Sequence, residues 1–289
     1  VRRDNDRNDL AYLPPFALLP SEYDPETNKQ TTITQEINLV SSEPAFGKLD
    51  WIAGLFYLDT EIEISILERL DFGFDGVFDP FTIDDIYAYS GDVGFITDSK
   101  PERDSTSLYG QGTWNHSDSL RTVFGLRYTR DEVYSAVTNF YGRSGTDILE
   151  TSGNKITGRL VIENDLNDNT MLYGSFTRGY KPGGSNLTYG RENVIAPIVV
   201  LPTFTEEVVD AFEVGLKSDL ADGRVRLNTA AFLYNYEGLQ YQATDPEVFE
   251  GGVGNIPDSD IFGAEFELSA FLSDSVILDA RMAYLCLLY

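Results

Sequence analysis

Residues 120–129 read LRTVFGLRYT, a stretch in which apolar and polar side chains alternate along the chain. Successive side chains of a β-strand point to opposite faces of its sheet, so this alternation predicts a strand with one apolar face. That face would carry Leu120, Thr122, Phe124, Leu126 and Tyr128, and the polar face Arg121, Arg127 and Thr129. The alternation alone does not decide whether lipid or protein covers the apolar face.

The same alternation recurs along the chain, most clearly around Val214 and Ala264. It predicts ten strands, bounded by the Gly, Asn, Asp and Ser residues that turns favour. We place them at about 31–42, 50–66, 105–115, 119–134, 154–165, 169–182, 207–219, 223–237, 259–272 and 276–288.

Short connectors and long loops alternate between these strands. The short connectors are Ser42–Asp50, Asn115–Asp118, Asp165–Asn169, Asp219–Gly223 and Ser273–Ser275. The long segments lie at about 67–104, 135–153, 183–206 and 238–259. Outer-membrane barrels have short periplasmic turns and long extracellular loops, whereas a soluble sandwich has no reason for this asymmetry. The pattern therefore predicts an all-β, antiparallel, up-and-down transmembrane β-barrel.

Strand length and aromatic placement favour lipid on the apolar face. A predicted strand such as 119–134 is longer than the soluble norm of about 5–6 residues and suits a tilted membrane crossing. Aromatic belts at the two interfaces of a membrane would explain where several aromatic residues lie. Trp51 and Trp114 adjoin short turns, while Tyr128, Tyr134, Tyr180, Tyr234 and Tyr236 lie toward the long loops.

Composition excludes several classes of protein. A net charge of −26, from 47 acidic and 21 basic residues, disfavours nucleic-acid binding. No apolar run approaches the roughly 20 residues of a membrane helix. The single cysteine, Cys286, and the single histidine, His116, leave little material for a disulfide, a cysteine-rich zinc site or a histidine-dependent active site. The start, Val1-Arg2-Arg3-Asp4, has no apolar signal region, so we expect a piece of a longer exported protein.

Six segments carry motifs in a shared order. The most specific is YGSFTRGYKPGGSN at 173–186, and the others are LDWIAGLFY at 49–57, VFGLRYT at 123–129, EEVVDAFEVGLK at 206–217, NTAAFLYNY at 228–236 and GAEFEL at 263–268. Together they resemble the barrel domain of TonB-dependent outer-membrane receptors. Residues 173–186 are similar to the family's YxSxSxGYKxGGxN signature, with Thr177 in place of the second Ser. The motif residues carried over are Tyr173, Arg178, Gly179, Tyr180, Lys181, Gly183, Gly184 and Asn186.

This resemblance implies a Gram-negative outer-membrane receptor, not an enzyme and without a cofactor, whose barrel wall contacts lipid. Its ligand classes would be ferric siderophore, haem, cobalamin or glycan. External loops, here above all 67–104, 183–206 and 238–259, would capture the ligand, and energy delivered through TonB would displace a plug. The family barrel has about 22 strands. We therefore divide the chain into residues 1–30, a loop leading into the barrel, and 31–289, a partial barrel without the plug and the TonB box.

No catalytic, cofactor or metal site stands out, and no ligand-binding residue is singled out. Segment 67–104 interleaves acidic and aromatic residues, which suit calcium or a bulky ligand, but its spacing matches no EF-hand and an acidic solvated loop explains it as well. Gly179–Asn186 lacks the Gly-Lys-Ser/Thr ending of a phosphate-binding loop. Eight charged residues are expected to face the lumen, paired with each other or with the plug: Arg121, Arg127, Arg159, Glu163, Glu213, Lys217, Glu265 and Glu267.

Two other functions are left open by the sequence. A self-contained ten-stranded outer-membrane barrel enzyme of the protease type would place Asp and His residues at its outer rim, whereas His116 lies in a short turn. A soluble β-sheet protein that binds glycan would cover its apolar face with protein. It would not need detergent, unlike a barrel with a lipid-facing band about 25 Å tall.

Overall fold

The computed structural model describes the secondary structure of most of the chain, and the surroundings of side chains over a smaller part. Secondary structure is described for residues 11–12, 18–19, 21–71, 92–139, 146–186, 193–195, 198–244 and 251–288. Side-chain surroundings are described for residues 29–64, 98–137, 146, 148–186, 201–243 and 252–288.

Every regular element in the described residues is a β-strand. Ten long strands, β3 to β8 and β13 to β16, confirm the predicted number, and six are short. The strands are β1 (Ala11–Tyr12), β2 (Leu18–Leu19), β3 (Ser21–Val40), β4 (Leu49–Asp71), β5 (Asp92–Asn115), β6 (Leu120–Asn139), β7 (Thr146–Asn167), β8 (Thr170–Lys181), β9 (Gly184–Ser185), β10 (Asn193–Ile195), β11 (Ile198–Val200), β12 (Thr203–Phe204), β13 (Glu207–Leu220), β14 (Val225–Thr244), β15 (Gly251–Ser273) and β16 (Val276–Leu288).

The ten long strands form one antiparallel sheet in the order β16-β15-β14-β13-β8-β7-β6-β5-β4-β3. Each long strand therefore pairs with the long strand next to it in sequence, which is the predicted up-and-down topology. The connection between β8 and β13 holds β9 to β12, where β9 pairs with β12 and β10 pairs with β11.

The register is staggered from strand to strand. A row of directly opposed residues begins at Val40, the last residue of β3, and passes through Gln111 and Thr177. It reaches β15 at Ile261, far from the short-turn end of that strand at Ser273. Because the short turns share one edge of the sheet, the strands must be inclined to that edge. A barrel requires this kind of stagger to close.

The two faces of the sheet differ in polarity, and the apolar face is open. In the described part of the chain, Leu126 is 68% exposed, Val214 53% and Met282 70%. Phe176 and Phe212 continue this face, with ring centroids 4.9 Å apart. A soluble sheet buries its apolar face under a second layer. The exposed band therefore has the character of a wall that faces lipid.

Several strands extend further toward the loops than the alternation predicts. β4 reaches Asp71, β5 begins at Asp92 and β14 reaches Thr244, so the predicted long segments are shorter than expected. β3 begins at Ser21, inside the stretch predicted as a lead-in loop. Backbone hydrogen bonds hold a ladder whatever the side chains are. The end of the alternation marks the end of the apolar band, while the strand itself continues.

Candidate functional site

The signature segment at residues 173–186 passes through three surroundings. Five of its motif residues lie in β8: Tyr173, Arg178, Gly179, Tyr180 and Lys181. Gly183, Gly184 and Asn186 follow in the connection to β13. Tyr173 lies on the charged face of the sheet, Arg178 at the border of the apolar face, and the residues after it at the loop end. The motif therefore does not form one compact site.

The charged face, called the inner wall from here on, carries all eight residues expected to face the lumen. The register aligns Arg121 with Glu163, and Lys217 with Asn228 and then Glu267, on that face. Arg121 donates from Nη1 to Asp165 Oδ2 at 2.8 Å and is also paired with Glu163. These charges partly neutralise one another, as expected for residues kept away from lipid.

Two aromatic contacts hold further inner-wall charges in place. Tyr173 donates its hydroxyl to Glu213 Oε1 at 2.6 Å, and Lys217 Nζ lies 5.4 Å from the centre of the Tyr173 ring. The guanidinium of Arg127 lies 5.2 Å and 5.5 Å from the ring centres of Phe56 and Tyr109, respectively. Contacts of this length between a cation and a ring are attractive. Tyr173 thus holds both Glu213 and Lys217, and the rings of Phe56 and Tyr109 hold Arg127. Aromatic side chains order these charged groups in addition to any ion pair.

Two inner-wall charges remain without such contacts. Within the described residues, no hydrogen bond or ion pair joins Arg159 or Glu265 to another side chain. Both side chains are exposed. The inner wall therefore presents at least one free positive and one free negative group to whatever occupies the space in front of it.

A polar row marks the upper limit of the apolar band. Arg178 binds Asp210 through two parallel hydrogen bonds, with Nε 2.6 Å from Oδ1. In the same row, Asn235 Nδ2 donates to Asp260 Oδ1 at 2.7 Å. The next residues toward the short turns are apolar and include Phe176 and Phe212. This row therefore lies where a membrane interface is expected.

Above this row the sheet opens into a seam between β7 and β8. Their register ends at the pair Gly158 and Arg178, although β7 runs on to Thr146 at its loop end and β8 to Lys181. The Tyr180 hydroxyl crosses the gap and donates to Asp131 Oδ2 on β6 at 3.0 Å. On the far side of the gap, Arg103 Nη2 on β5 donates to Asp131 Oδ1 at 2.7 Å.

The Asp131 carboxylate is the centre of this seam. Its side chain is only 2% exposed, and both of its oxygens accept hydrogen bonds. Burial, and then the bond to Asp131, raise the pKa of Tyr180, which lies beyond the apolar band. The phenol therefore keeps the proton that it donates. An ion pair between Lys155 and Glu206 joins the two sides of the seam again.

A cleft of about 610 Å³ lies at this seam. Its walls come from β6 and β7 on one side and from the β8–β13 connection with β14 and β15 on the other. The residues that matter below are Asp131, Lys155, Tyr180, Gly183, Glu206, Gly238 and Asn255. The lining mixes polar and apolar surface and carries charges of both signs, and it lies on the loop side where the sequence places ligand contacts.

The sequence analysis singled out Tyr180 and Gly183 of this cleft, but not Asp131, Lys155, Glu206 or Asn255. These four residues lie in different strands or connections, and no short motif contains them together. Only the strand register brings them into one place. Motif reading could not have found them.

Neither a metal cluster nor a membrane-spanning helix is found among the described residues. Among the residues that the structure describes, no group of three or more His, Cys, Asp or Glu side chains could hold a metal ion. The acidic residues Asp75, Asp79, Asp84 and Asp85 of segment 67–104 lie outside the described residues. In the described part of the chain, no helix has the length and apolar character needed to cross a membrane.

The model of the TonB-dependent receptor-like β-barrel family matches residues 2–285. The chain belongs to the TonB-dependent receptors. Residues 2–285 therefore come from a receptor barrel of the Gram-negative outer membrane, as predicted, and the assignment as a non-enzyme is confirmed. The barrel enzyme and the soluble glycan-binding protein are both ruled out by this membership.

Solved structures of receptors have the same fold. The ferric yersiniabactin uptake receptor FyuA from Yersinia pestis shares 17% identity over 94% of this chain, with a TM-score of 0.70. The siderophore receptor PiuA from Acinetobacter baumannii shares 17% over 92%, with a TM-score of 0.65. The pyoverdine receptor FpvA from Pseudomonas aeruginosa shares 17% over 92%, with a TM-score of 0.57. The chain spans 37%, 39% and 36% of these three receptors, so it corresponds to a part of each.

Proposed function

We propose that this barrel segment belongs to a receptor that captures a ferric siderophore and imports it with energy delivered through TonB. The observation that carries the proposal is a staggered sheet with an exposed apolar face outside and a charged inner wall. Among structures of the same fold, PiuA is described as a siderophore receptor, FyuA as a ferric yersiniabactin uptake receptor and FpvA as a pyoverdine receptor, while OprC is described as a copper transporter. A siderophore is therefore favoured over haem, cobalamin or glycan.

The inner wall supports a second element of the proposal, contact with a plug. Arg159 and Glu265 are charged and exposed and have no partner in the described residues. A polar domain inside the barrel would supply opposite charges to both. We place that plug, and the box that binds TonB, outside residues 2–285, which the barrel family covers. The division into a lead-in at residues 1–30 and a barrel at 31–289 is part of this proposal, with β3 of the sheet already beginning at Ser21 within the lead-in.

We propose that the ligand is contacted on the loop side of the sheet. The cleft at the seam lies on the side opposite the short turns, and so do the described ends of the segments 67–104, 183–206 and 238–259. In this arrangement the ligand meets the loops first and the plug beneath them. Nothing in the proposal requires a catalytic group on this chain.

Uptake of radioactive iron tests the proposal in the cell that carries the gene. A strain that lacks the whole receptor should lose uptake of one or more iron-55 siderophores, and the intact gene should restore it only while TonB is active. Haem and cobalamin uptake and growth on glycans are measured in parallel. If the strain kept all siderophore uptake but lost uptake of haem or cobalamin or growth on glycans, the proposed ligand would be wrong. If the intact gene restored uptake without active TonB, the proposed energy source would be wrong.

A further inference from the structure

At the loop-side rim, the hairpin of β9 and β12 lies beside β14 and β15 without sharing a backbone ladder with them. β9 and β12 pair only with each other among the described strands, and β15 pairs with β14 and β16. Three carboxamide side chains make the connection instead: Asn186, Gln240 and Asn255.

Asn186 takes the place of a strand residue opposite Val253. Its Oδ1 accepts the Val253 amide at 2.8 Å, and its Nδ2 donates to the Val253 carbonyl at 2.8 Å. Nδ2 also donates to the Leu201 carbonyl at 2.7 Å. The residue is 5% exposed, so water is not available to replace these bonds. The carboxamide therefore makes three hydrogen bonds, all of them to the backbone.

Asn255 repeats the arrangement at the other end of the hairpin. Its Oδ1 accepts the Thr205 amide at 2.8 Å, and its Nδ2 donates to the Thr205 carbonyl at 3.0 Å. Nδ2 also reaches the carbonyl of Gly238 at 2.7 Å. Gln240 adds bonds from Nε2 to the carbonyls of Pro182 at 2.8 Å and Thr205 at 3.0 Å.

Two features of the rim explain why carboxamide side chains join the hairpin to the strands: their hydrogen-bonding groups and the short distances between the backbones. A carboxamide carries the same C=O and N–H groups as a peptide, so it can bond a backbone as a neighbouring strand would. The backbones also approach closely. A Cβ on Gly183 would lie 2.5 Å from the Phe204 carbonyl oxygen, and a Cβ on Gly238 would lie 2.6 Å from that of Glu206. Gly238 also has a φ of +68°, which favours glycine.

We propose that Asn186, Gln240 and Asn255 are positioning residues that join the β9–β12 hairpin to β14 and β15 as one rigid unit. The hairpin and the start of β15 then move together, and this unit forms one wall of the cleft, through Gly183, Glu206 and Asn255. A ligand that displaces the hairpin displaces the start of β15 with it. This inference goes beyond the proposed uptake function and does not depend on the identity of the ligand.

Hydrogen exchange of the whole receptor in detergent micelles, followed by mass spectrometry without ligand, tests the unit. Asn186→Ala should speed exchange roughly ten- to hundredfold in peptides covering both 251–255 and 201–206, because buried partners lose their bonds. Peptides covering 225–235 should not change. Asn228→Ala is the matched control, since Asn228 makes a single long bond of 3.4 Å to Glu267 lower on the inner wall. It should leave all of these peptides unchanged.

A second variant tests whether the three carboxamides act together as one rigid unit or each bond acts independently. Asn255→Ala should speed amide exchange at the Asn186 end of the hairpin as well as at Thr205. The double variant with both Asn186→Ala and Asn255→Ala should exchange only slightly faster than either single variant. Heat-modifiable gel migration first shows that each variant has folded. Changes confined to the amide that each carboxamide bonds, additive effects in the double variant, or no change at 251–255 would each overturn the proposal.

Discussion

The sheet is held together differently on the two sides of the Arg178–Asp210 pair. On the short-turn side, which we call the membrane half, continuous backbone ladders join all neighbouring strands. On the loop side, the rim half, the ladder between β7 and β8 stops and Tyr180 and Asp131 close the gap. The membrane half therefore depends on a repeated pattern of paired backbones and alternating side chains. In the rim half, ladders such as those of β6 with β7 and of β14 with β15 continue, but the seam and the β9–β12 hairpin depend on single polar side chains.

The largest effect is expected from a charge on the outer face of the membrane half. Phe212→Arg places a cation in the apolar band, where Phe212 is 46% exposed, and an arginine near the membrane midplane costs about 2–4 kcal/mol. We expect loss of the heat-modifiable band of the assembled receptor in outer membranes. Ala211→Arg is the control, because the neighbouring residue faces the inner wall. Equal assembly of the two variants would contradict a lipid-facing outer surface.

A smaller loss is expected in the rim half from Asp131→Ala. The variant removes the acceptor of both Arg103 and Tyr180, and bonds to a charged group are worth about 1.5–3 kcal/mol. Urea unfolding of the refolded receptor in detergent should show this loss. Glu132→Ala, the next residue, removes a pair with Arg130 whose side chains are 67% and 51% exposed, and should change the unfolding free energy by about 0–1 kcal/mol. If the two variants were equally stable, Asp131 would not hold the seam.

Gly238→Ala tests the close approach at the rim. The residue has a φ of +68°, and the added Cβ would lie 2.6 Å from the Glu206 carbonyl oxygen, so we expect a loss of about 1–3 kcal/mol in the same urea assay. Gly174→Ala is the control in the membrane half, because its Cβ would meet nothing nearer than 4.0 Å. A harmless Gly238→Ala would show that the rim backbone has room to move.

The smallest effect is expected from Tyr180→Phe, which removes one hydroxyl from the seam. The bond to the charged Asp131 is one of those that Asp131→Ala removes, and we expect its loss to cost about 1.5 kcal/mol, the lower end of the range for such bonds. The pKa of Tyr180 is raised from the ordinary value of 10.0, so the folded state favours the protonated phenol. The contribution of the Tyr180 hydroxyl to the free energy of unfolding should be fully present below pH 10 and decrease as the pH rises toward the folded-state pKa. Urea unfolding at pH 8 and at pH 10.5 should show a smaller difference from the parent at the higher pH. A difference that grows with pH would contradict this.

How much of the molecule was predictable differs between the two halves. The alternation in segments such as 120–129 predicted the membrane half, including the face that each residue occupies, because the period of a strand is a local property. The connectors predicted at Asp165–Asn169 and Asp219–Gly223 contain turns at Asp168–Asn169 and at 221–224, and they were predictable for the same reason. The predicted strands stop short of the loop ends of β4, β5 and β14, because polar strands carry no apolar pattern that would reveal them.

The rim half was predicted only in part. The signature segment 173–186 marked the right strand and connection, and the resemblance named Tyr180, Gly183 and Asn186. The partners of those residues were not predictable. Tyr180 meets Asp131 across 49 residues of sequence, and Asn186 meets Val253 across 67. Asp131, Gln240 and Asn255 are isolated polar residues that look like many others in the chain.

By itself the sequence determined the period of the strands, the position of the short turns and the family, because each of these depends on neighbouring residues or on motifs in order. Tertiary structure alone decided which polar residues meet at the seam and at the rim. The stagger of ten strands must accumulate before Asp131 comes level with Tyr180, or Asn186 with Val253. Such contacts follow from the register of the whole sheet, and no segment of the chain contains that information.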